Sequence, residues 1–339
     1  MLDSGAFSVW NKGISIDLDA YITYCLKHPY IAYYVNLDVI PGSVSDMASL
    51  SSGVISKACE EGWKNYLTML KKLPISKVVP VFHQGDDYKW IKKYIDHGCT
   101  YIGISPSNDR TTKQKVAWLK EVQQHIGDKK GNPIIRTHGF GVTSARLLNF
   151  WHWHSVDSAS WGKVSAYGGI LLPYMKKGVY DYKHSPLVLG VSVESPARKK
   201  HNHHLFTCSP IVKKYALKCI TEEYKLPIGK TRFFTVTDTS YKLKDDERWM
   251  SRRKKIEAFQ IIEPGITNDY KIRKQALIRF FQALEKNSSV NHIYLAGYGA
   301  GYDFTLGLIQ NRLLSFLDLS QRNNECVREL EWYKQNMRK

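Results

Sequence analysis

From the first residue to about residue 160, short apolar runs ending in polar residues or glycine alternate with longer stretches whose apolar positions recur at helical spacing. "IDLDAYITYCLKH" has the helical period, and "IAYYVNLDVIPG" reads as a strand ending at Asp38. The helix "GVISKACEEGWKNYLTMLKKL" leads to the strand "KVVPVFHQGD", which ends at His83-Gln84-Gly85. The helix "DYKWIKKYIDHG" leads to "CTYIGISPSN", closing on Gly103 and Ser105. "KQKVAWLKEVQQHIG" then precedes "NPIIRTHGFG", and "TSARLLNFW" precedes "HSVDSASWG". This alternation predicts an α/β protein of parallel strands and crossover helices. An open doubly wound sheet and a closed (β/α)8, TIM-like barrel both satisfy it, and both place chemistry where strands end. No G-x-G-x-x-G or P-loop follows a strand, which weakens the open nucleotide-binding sheet. Six polar strand ends converging on one mouth favour the barrel.

Those ends carry Asp3-Ser4-Gly5, Asp38, His83-Gln84-Gly85, Gly103-Ile104-Ser105, His138-Gly139 and Asp157-Ser158. Asp, Ser and Gly are ordinary turn residues, and the opening "MLDSGAFSVW" has a bland reading as a strand end with an Asx-type turn. Three carboxylates at one mouth repel one another, however, and an arrangement that bears this cost points to catalysis. Two of them suit a glycosidic carbon, one as nucleophile and one as general acid/base. The third can accept hydrogen bonds from the N–H groups of a base. Gln84 offers a donor and an acceptor, and a glycine at position 103 lets a flat ring come close.

Charge sharpens this picture. The 339 residues carry a formal charge of +18, which calls for a polyanionic partner, nucleic acid before an acidic membrane surface. The 43% hydrophobic content is enough for a large core, and 9 Trp and 21 Tyr add stacking surfaces or, more commonly, core rings. The six cysteines show no short paired spacing, no signal peptide opens the chain, and no apolar run approaches a membrane span. The expectation is a cytoplasmic protein with no membrane partner.

Taken in order and approximate spacing, "LDSGAFS", "NLDVIPG", "VFHQGD", "YIGISP", "THGFGVTS" and "SVDSASW" resemble the motifs of the tRNA-guanine transglycosylase family. They look most like its phage-type, DNA-acting relatives, which insert 7-deazaguanines into DNA. The resemblance covers roughly the first half of the chain. It implies that Asp157 is the nucleophile and Asp3 the general acid/base, with Ser4 beside it and Phe7 packing on the purine. Asp38 and Gln84 would read the base, Gly103 would lie in a glycine loop facing it, and His138 and Gly139 complete the substrate-binding set. It also implies DNA as polymer, with tRNA second, a free 7-deazaguanine as co-substrate, no cofactor, and the host cytoplasm as location if the gene is a phage's. The other readings open at this stage are a barrel enzyme acting on a small glycoside or nucleotide, with the charge excess incidental, and a non-catalytic nucleic-acid-binding barrel.

Two departures stand beside the matches. The family's first two barrel strands, ahead of the DSGGF-type motif, are missing, so "TRFFTVTDTSY" and "NHIYLAGYGAG" are expected to close the barrel from the C-terminal part. The family's CxCxxC zinc site is missing too. "HNHHLFTC" offers His201, His203, His204 and Cys208, but a solvated basic loop is the preferred reading and no metal is expected. The division expected is a catalytic barrel core over 1–165 and, over 166–339, barrel completion with basic helices drawn from "SPIVKKYALKCITEEYKL", "DDERWMSRRKKIEAFQII", "NDYKIRKQALIRFFQALEK" and the tail. Arg198, Lys199 and Lys200 in "PARKK" and Arg252, Arg253 and Lys254 in "SRRKK" are the candidate phosphate contacts. Trp10, Trp151, Trp153 and above all Trp161 are candidates to stack where a flipped-out nucleotide has left the duplex, with core packing as the commoner use of such rings.

Overall fold

The computed structural model describes residues 1–7, 10, 15–42, 50–158, 160–199, 203–251 and 254–295. They form two compact units, one made of Met1–Ser158 together with the described residues from Ser289 onward, the other of Ala159–Ser288.

In the first unit short strands alternate with helices. Helix α1 (Leu18–Lys27) starts at Asp17, whose carboxylate accepts the Ala20 N–H, and leads to β1 (Tyr34–Val35). Helix α2 (Ser52–Leu70) leads to β2 (Val78–Val79) and β3 (Val81–His83). These two pieces of one apolar run are separated by Pro80, which has no N–H for the ladder. Then come α3 (Lys89–Asp96), β4 (Tyr101–Ser105), α4 (Thr112–Ile126), β5 (Arg136–Gly139), α5 (Ala145–Phe150) and β6 (Ser155–Ser158). Helix α4 has a full capping box, Thr111 and Gln114 bonding each other's backbone N–H.

The second unit is built differently. Helix α6 (Ser160–Ala166) precedes β7 (Gly169–Leu172) and the hairpin of β8 (Tyr174–Lys176) and β9 (Val179–Asp181). That hairpin turns at Lys177-Gly178, both with positive φ, 50° and 82°. β10 (Leu187–Gly190) pairs antiparallel with β7. Helix α7 (Pro210–Lys218) has the Ser-Pro start expected, with Ser209 as cap. β11 (Lys230–Thr235), β12 (Glu247–Trp249) and β13 (Glu257–Glu263) form an antiparallel sheet in the order β11-β13-β12, ahead of α8 (Tyr270–Asn287).

Two expectations are corrected here. "DDERWMSRRKKIEAFQII" is two strands and their connection rather than a basic helix: Glu247–Trp249 and Glu257–Glu263 satisfy their backbone groups against each other. "TRFFT" joins this same antiparallel sheet, with Phe233 opposite Phe259, and so does not extend the parallel sheet of the first unit. The other segment expected to do so does: β14 (His292–Leu295) lies parallel to β6, with Tyr294 beside Asp157. The remainder of "NHIYLAGYGAG" and the tail lie outside the described residues.

The five-stranded parallel sheet runs β14-β6-β5-β4-β3, and β1 pairs parallel with β2. Leu2 adds a parallel bridge to Tyr34, and the Gly103 N–H donates to the Pro80 carbonyl at 2.8 Å, continuing the ladder past the proline. Apart from the returning β14, spatial order therefore follows chain order from residue 2 to residue 158. The alternation of side chains gives this sheet two unlike faces. One carries Phe82, Ile102, Ile104, Val156 and Ile293, all buried, with Phe82 stacked on Trp118 of α4 at 6.0 Å. The other carries His83, Gly103, Ser105, His138, Ser155, Asp157 and Tyr294, in register across neighbouring strands.

Candidate active site

Asp157 stands third in β6, on the polar face and half-buried. One carboxylate oxygen accepts the backbone N–H of Gly141, in the turn after β5. Gly141 has φ +61°, a left-handed conformation that glycine adopts without cost, and this aims its N–H at the carboxylate. That contact explains the second glycine of "HGFG". Burial pushes the Asp157 carboxyl up to about 6, against the pull of the Gly141 N–H. At neutral pH the group is largely ionised yet poorly solvated, which is the state a nucleophile needs.

At the other side of the sheet, the His83 ring bridges two acids. Its Nε2 lies 2.9 Å from Asp38 Oδ2 and its Nδ1 3.5 Å from Asp86 Oδ2, which also accepts the His83 backbone N–H at 2.8 Å. Burial lowers the affinity of this imidazole for a proton, but the bonds to Asp38 and Asp86 and their charges outweigh it, and the pKa rises to about 10. His83 is thus a cation at neutral pH, and Asp38 is its counter-ion. From the sequence alone His83 is only a strand end with no role in the site. A signal existed in "HQGD", with a carboxylate three residues beyond the histidine, but the partnership with Asp38 is tertiary.

Asp3 is exposed, directly after Leu2 and its bridge to Tyr34. Its charge and that of Asp38 both act on the buried Tyr21 hydroxyl, which donates to the Val35 carbonyl. The two acids therefore share one end of adjacent strands. Ser4 is buried, with its Oγ accepting the Ala6 N–H at 3.4 Å, and Gly5 has φ +81°, so the turn reading of this motif holds alongside any chemistry of Asp3. Phe7 is 51% exposed and tilts against Trp10 at 5.7 Å, while the Trp10 Nε1 donates to the Gly42 carbonyl.

Gln84 donates its backbone N–H to Ser105, and its side-chain oxygen accepts the Ser107 N–H at 3.1 Å, fastening the loop after β4. Gly103 needs to be glycine for a reason the sequence did not disclose. A β-carbon there would meet Phe140 Cε2 at 2.4 Å, so the flat ring against Gly103 is the chain's own. Gly139 lies instead on the helix-side face, where a β-carbon would meet Trp153 and Val142 at 2.9 Å; its small size serves packing. His138 is on the polar face but buried, its Nδ1 2.6 Å from Ser155 Oγ, which in turn bonds the Tyr101 hydroxyl. Burial, then the Met1 ammonium and His154, push the His138 pKa down to about 3, so the ring is neutral. Its Nε2 has no hydrogen-bond partner.

The stacking candidates are largely core residues. Trp151 and Trp153 are buried, donating to Thr137 Oγ1 and the Leu147 carbonyl, and Trp161 is buried in the second unit under the Lys274 ammonium. Of the candidate metal ligands, His204 is buried with both ring nitrogens engaged by backbone: Nδ1 accepts the Phe206 N–H and Nε2 donates to the Ser192 carbonyl. Cys208 points its thiol at the Leu205 carbonyl at 3.6 Å, His203 is exposed, and His201 lies outside the described residues. Among the basic candidates, Arg198 lies over the Phe233 ring at 5.5 Å and 3.8 Å from Glu257, three residues beyond the exposed Lys254. Arg198 thus lies against the two paired strands β11 and β13 of the antiparallel sheet. Lys199 is exposed; Lys200, Arg252 and Arg253 lie outside the described residues.

No family model matches the sequence, and no curated protein or solved structure matches it.

Proposed function

We propose that this chain is a guanine transglycosylase that exchanges guanine in DNA for a free 7-deazaguanine through a covalent intermediate on Asp157. The observation that carries the reading is Asp157 itself: a carboxyl raised to about 6 by burial and aimed by the Gly141 N–H. It sits on the polar face of the parallel sheet whose β3 is followed by Gln84, while Asp3 follows the Leu2 bridge and Asp38 follows β1 of the separate β1–β2 pair. Successive right-handed crossovers that never reverse strand order put all their helices on one face. The opposite face then avoids water by curling on itself, and this supports a barrel in which the row of strands brings the Leu2 end round toward β6 and β14. In that closure Asp3 and Asp157 face each other across the mouth, as the resemblance to the transglycosylase motifs requires.

Asp157 attacks C1′ of the flipped-out nucleotide, the C1′–N9 bond breaks, and Asp3 delivers a proton to the departing guanine. The incoming base loses its N9 proton to Asp3 and attacks C1′, releasing Asp157. Two displacements retain the anomeric configuration. Asp38, held by His83, accepts hydrogen bonds from the base, and the Gln84 amide donates, its oxygen being committed to Ser107. The charge of +18 and the basic residues of the second unit support a nucleic-acid substrate.

The test is incubation of the protein with plasmid DNA or bulk tRNA and radiolabelled guanine, followed by denaturing electrophoresis. Label entering DNA, with a protein–DNA adduct that survives denaturation and is lost in Asp157→Asn, is the expected result. Label in tRNA alone would replace the polymer, and undiminished exchange by Asp157→Asn would remove the nucleophile and the reading with it.

A further inference from the structure

The groove at the opposite, N-terminal ends of the same strands has a chemistry of its own. It is open to solvent, with a volume of about 580 Å³, and its polar lining includes Thr100, Asn132, Arg136, His152, His154 and Asn291. We propose that this groove is a second ligand site that takes a phosphate-bearing molecule of nucleotide size.

Arg136 is the centre of the argument. Its guanidinium is fixed over the rings of Tyr33 and Tyr101, at 5.5 and 5.0 Å, and gives one bond to the Tyr33 hydroxyl at 2.8 Å. A guanidinium held in this way keeps its fork of donors while losing little freedom on binding, the arrangement suited to two oxygens of one phosphate group. His154 lines the groove with it, its ring centroid 5.4 Å from that of His292, and Asn291 lies 3.4 Å from His154. Among the described residues none of Arg136, His152, His154 and His292 enters an ion pair with a carboxylate. Asp128, behind Asn132, is occupied by the backbone N–H groups of Lys130 and Asn132. Burial and the charges of Arg136 and His292 hold His154 below its ordinary pKa, as expected where positive groups crowd without compensation. An anion relieves that crowding, and the His154 imidazole can take up a proton as it binds. The proposal does not rest on glycosyl transfer, whose residues lie at the other ends of the strands.

Equilibrium dialysis of the full chain at 0.15 M NaCl, with labelled inorganic phosphate and separately with a labelled nucleoside monophosphate, tests it. The nucleotide should bind more tightly than phosphate alone. Asn291→Asp, which puts a negative charge on an exposed rim position without touching the Arg136 stack, should weaken both ligands at least fivefold. Arg136→Gln should do the same with its circular dichroism unchanged, while Lys213→Gln, a surface charge in the other unit, should leave both within twofold. Wild-type affinity in Asn291→Asp overturns the proposal, as does an equal loss in Lys213→Gln, which would assign the binding to overall charge.

Discussion

At the scale of single residues, Asp157 carries a cost that can be measured. Its carboxyl titrates near 6 in the fold against an ordinary 3.8, so the fold prefers the protonated form. The contribution of this group to stability is complete below about 3.8 and is lost as pH rises through about 6. Asp157→Asn should therefore unfold at higher temperature than the wild type at pH 7.5, by the equivalent of about 1–2 kcal/mol, while losing the covalent adduct. Equal melting temperatures would show that burial does not strain this carboxylate. The same titration should appear as a rise in base exchange through about pH 6, absent from binding alone.

His83 has the opposite sign. Its pKa is raised to about 10 from an ordinary 6.5, so its stabilisation is complete below 6.5 and is lost as pH climbs through 10. His83→Gln leaves Asp38 and Asp86 without their shared cation, and a loss of about 2 kcal/mol at pH 7 follows, shrinking toward pH 10. Chemical denaturation at both pH values checks this, and a pH-independent loss would count against the ion pair. Sequence pattern showed that His83 ends a strand. It could not show that Asp38, 45 positions earlier, arrives beside it, because that pairing is created by the adjacency of strands.

At the scale of elements, the helix-strand rhythm of the first unit was legible because its long helices carry apolar residues at helical spacing, three of its five described helices have a side-chain cap, and β1 to β4 are largely apolar. In the second unit, charge obscured the pattern: "DDERWMSRRKKIEAFQII" holds enough Lys and Arg to read as a basic helix, while its second strand pairs with "TRFFT", which lies elsewhere in the chain. Glycines were misread in a similar way. Gly103 and Gly139 make room for Phe140 and for Trp153 and Val142, and a single sequence does not say whose ring fills the space beside a glycine. Gly139→Ala should cost about 1–3 kcal/mol through this overpacking, measured by urea denaturation, and an unchanged midpoint would mean that Trp153 moves aside freely.

For the whole molecule the charge of +18 sets expectations about salt. Binding to a DNA duplex should weaken by at least about tenfold between 50 and 200 mM NaCl, and Lys254→Gln should lower the logarithmic salt slope by about one. A slope unaltered in Lys254→Gln would take this residue out of the phosphate path.

The return of the chain to β6 through His292–Leu295 has a consequence for biosynthesis. Until that strand leaves the ribosome, the flank of β6 bearing Asp157 is an unpaired edge, and the entire second unit must be translated before it is covered. At ordinary elongation rates that is a wait of roughly ten seconds or more, during which a nascent edge invites intermolecular pairing. Stalling translation just after Ser288 should yield chains that aggregate or recruit chaperones, whereas release of the nascent chain after Leu295 should let β6 find its own partner.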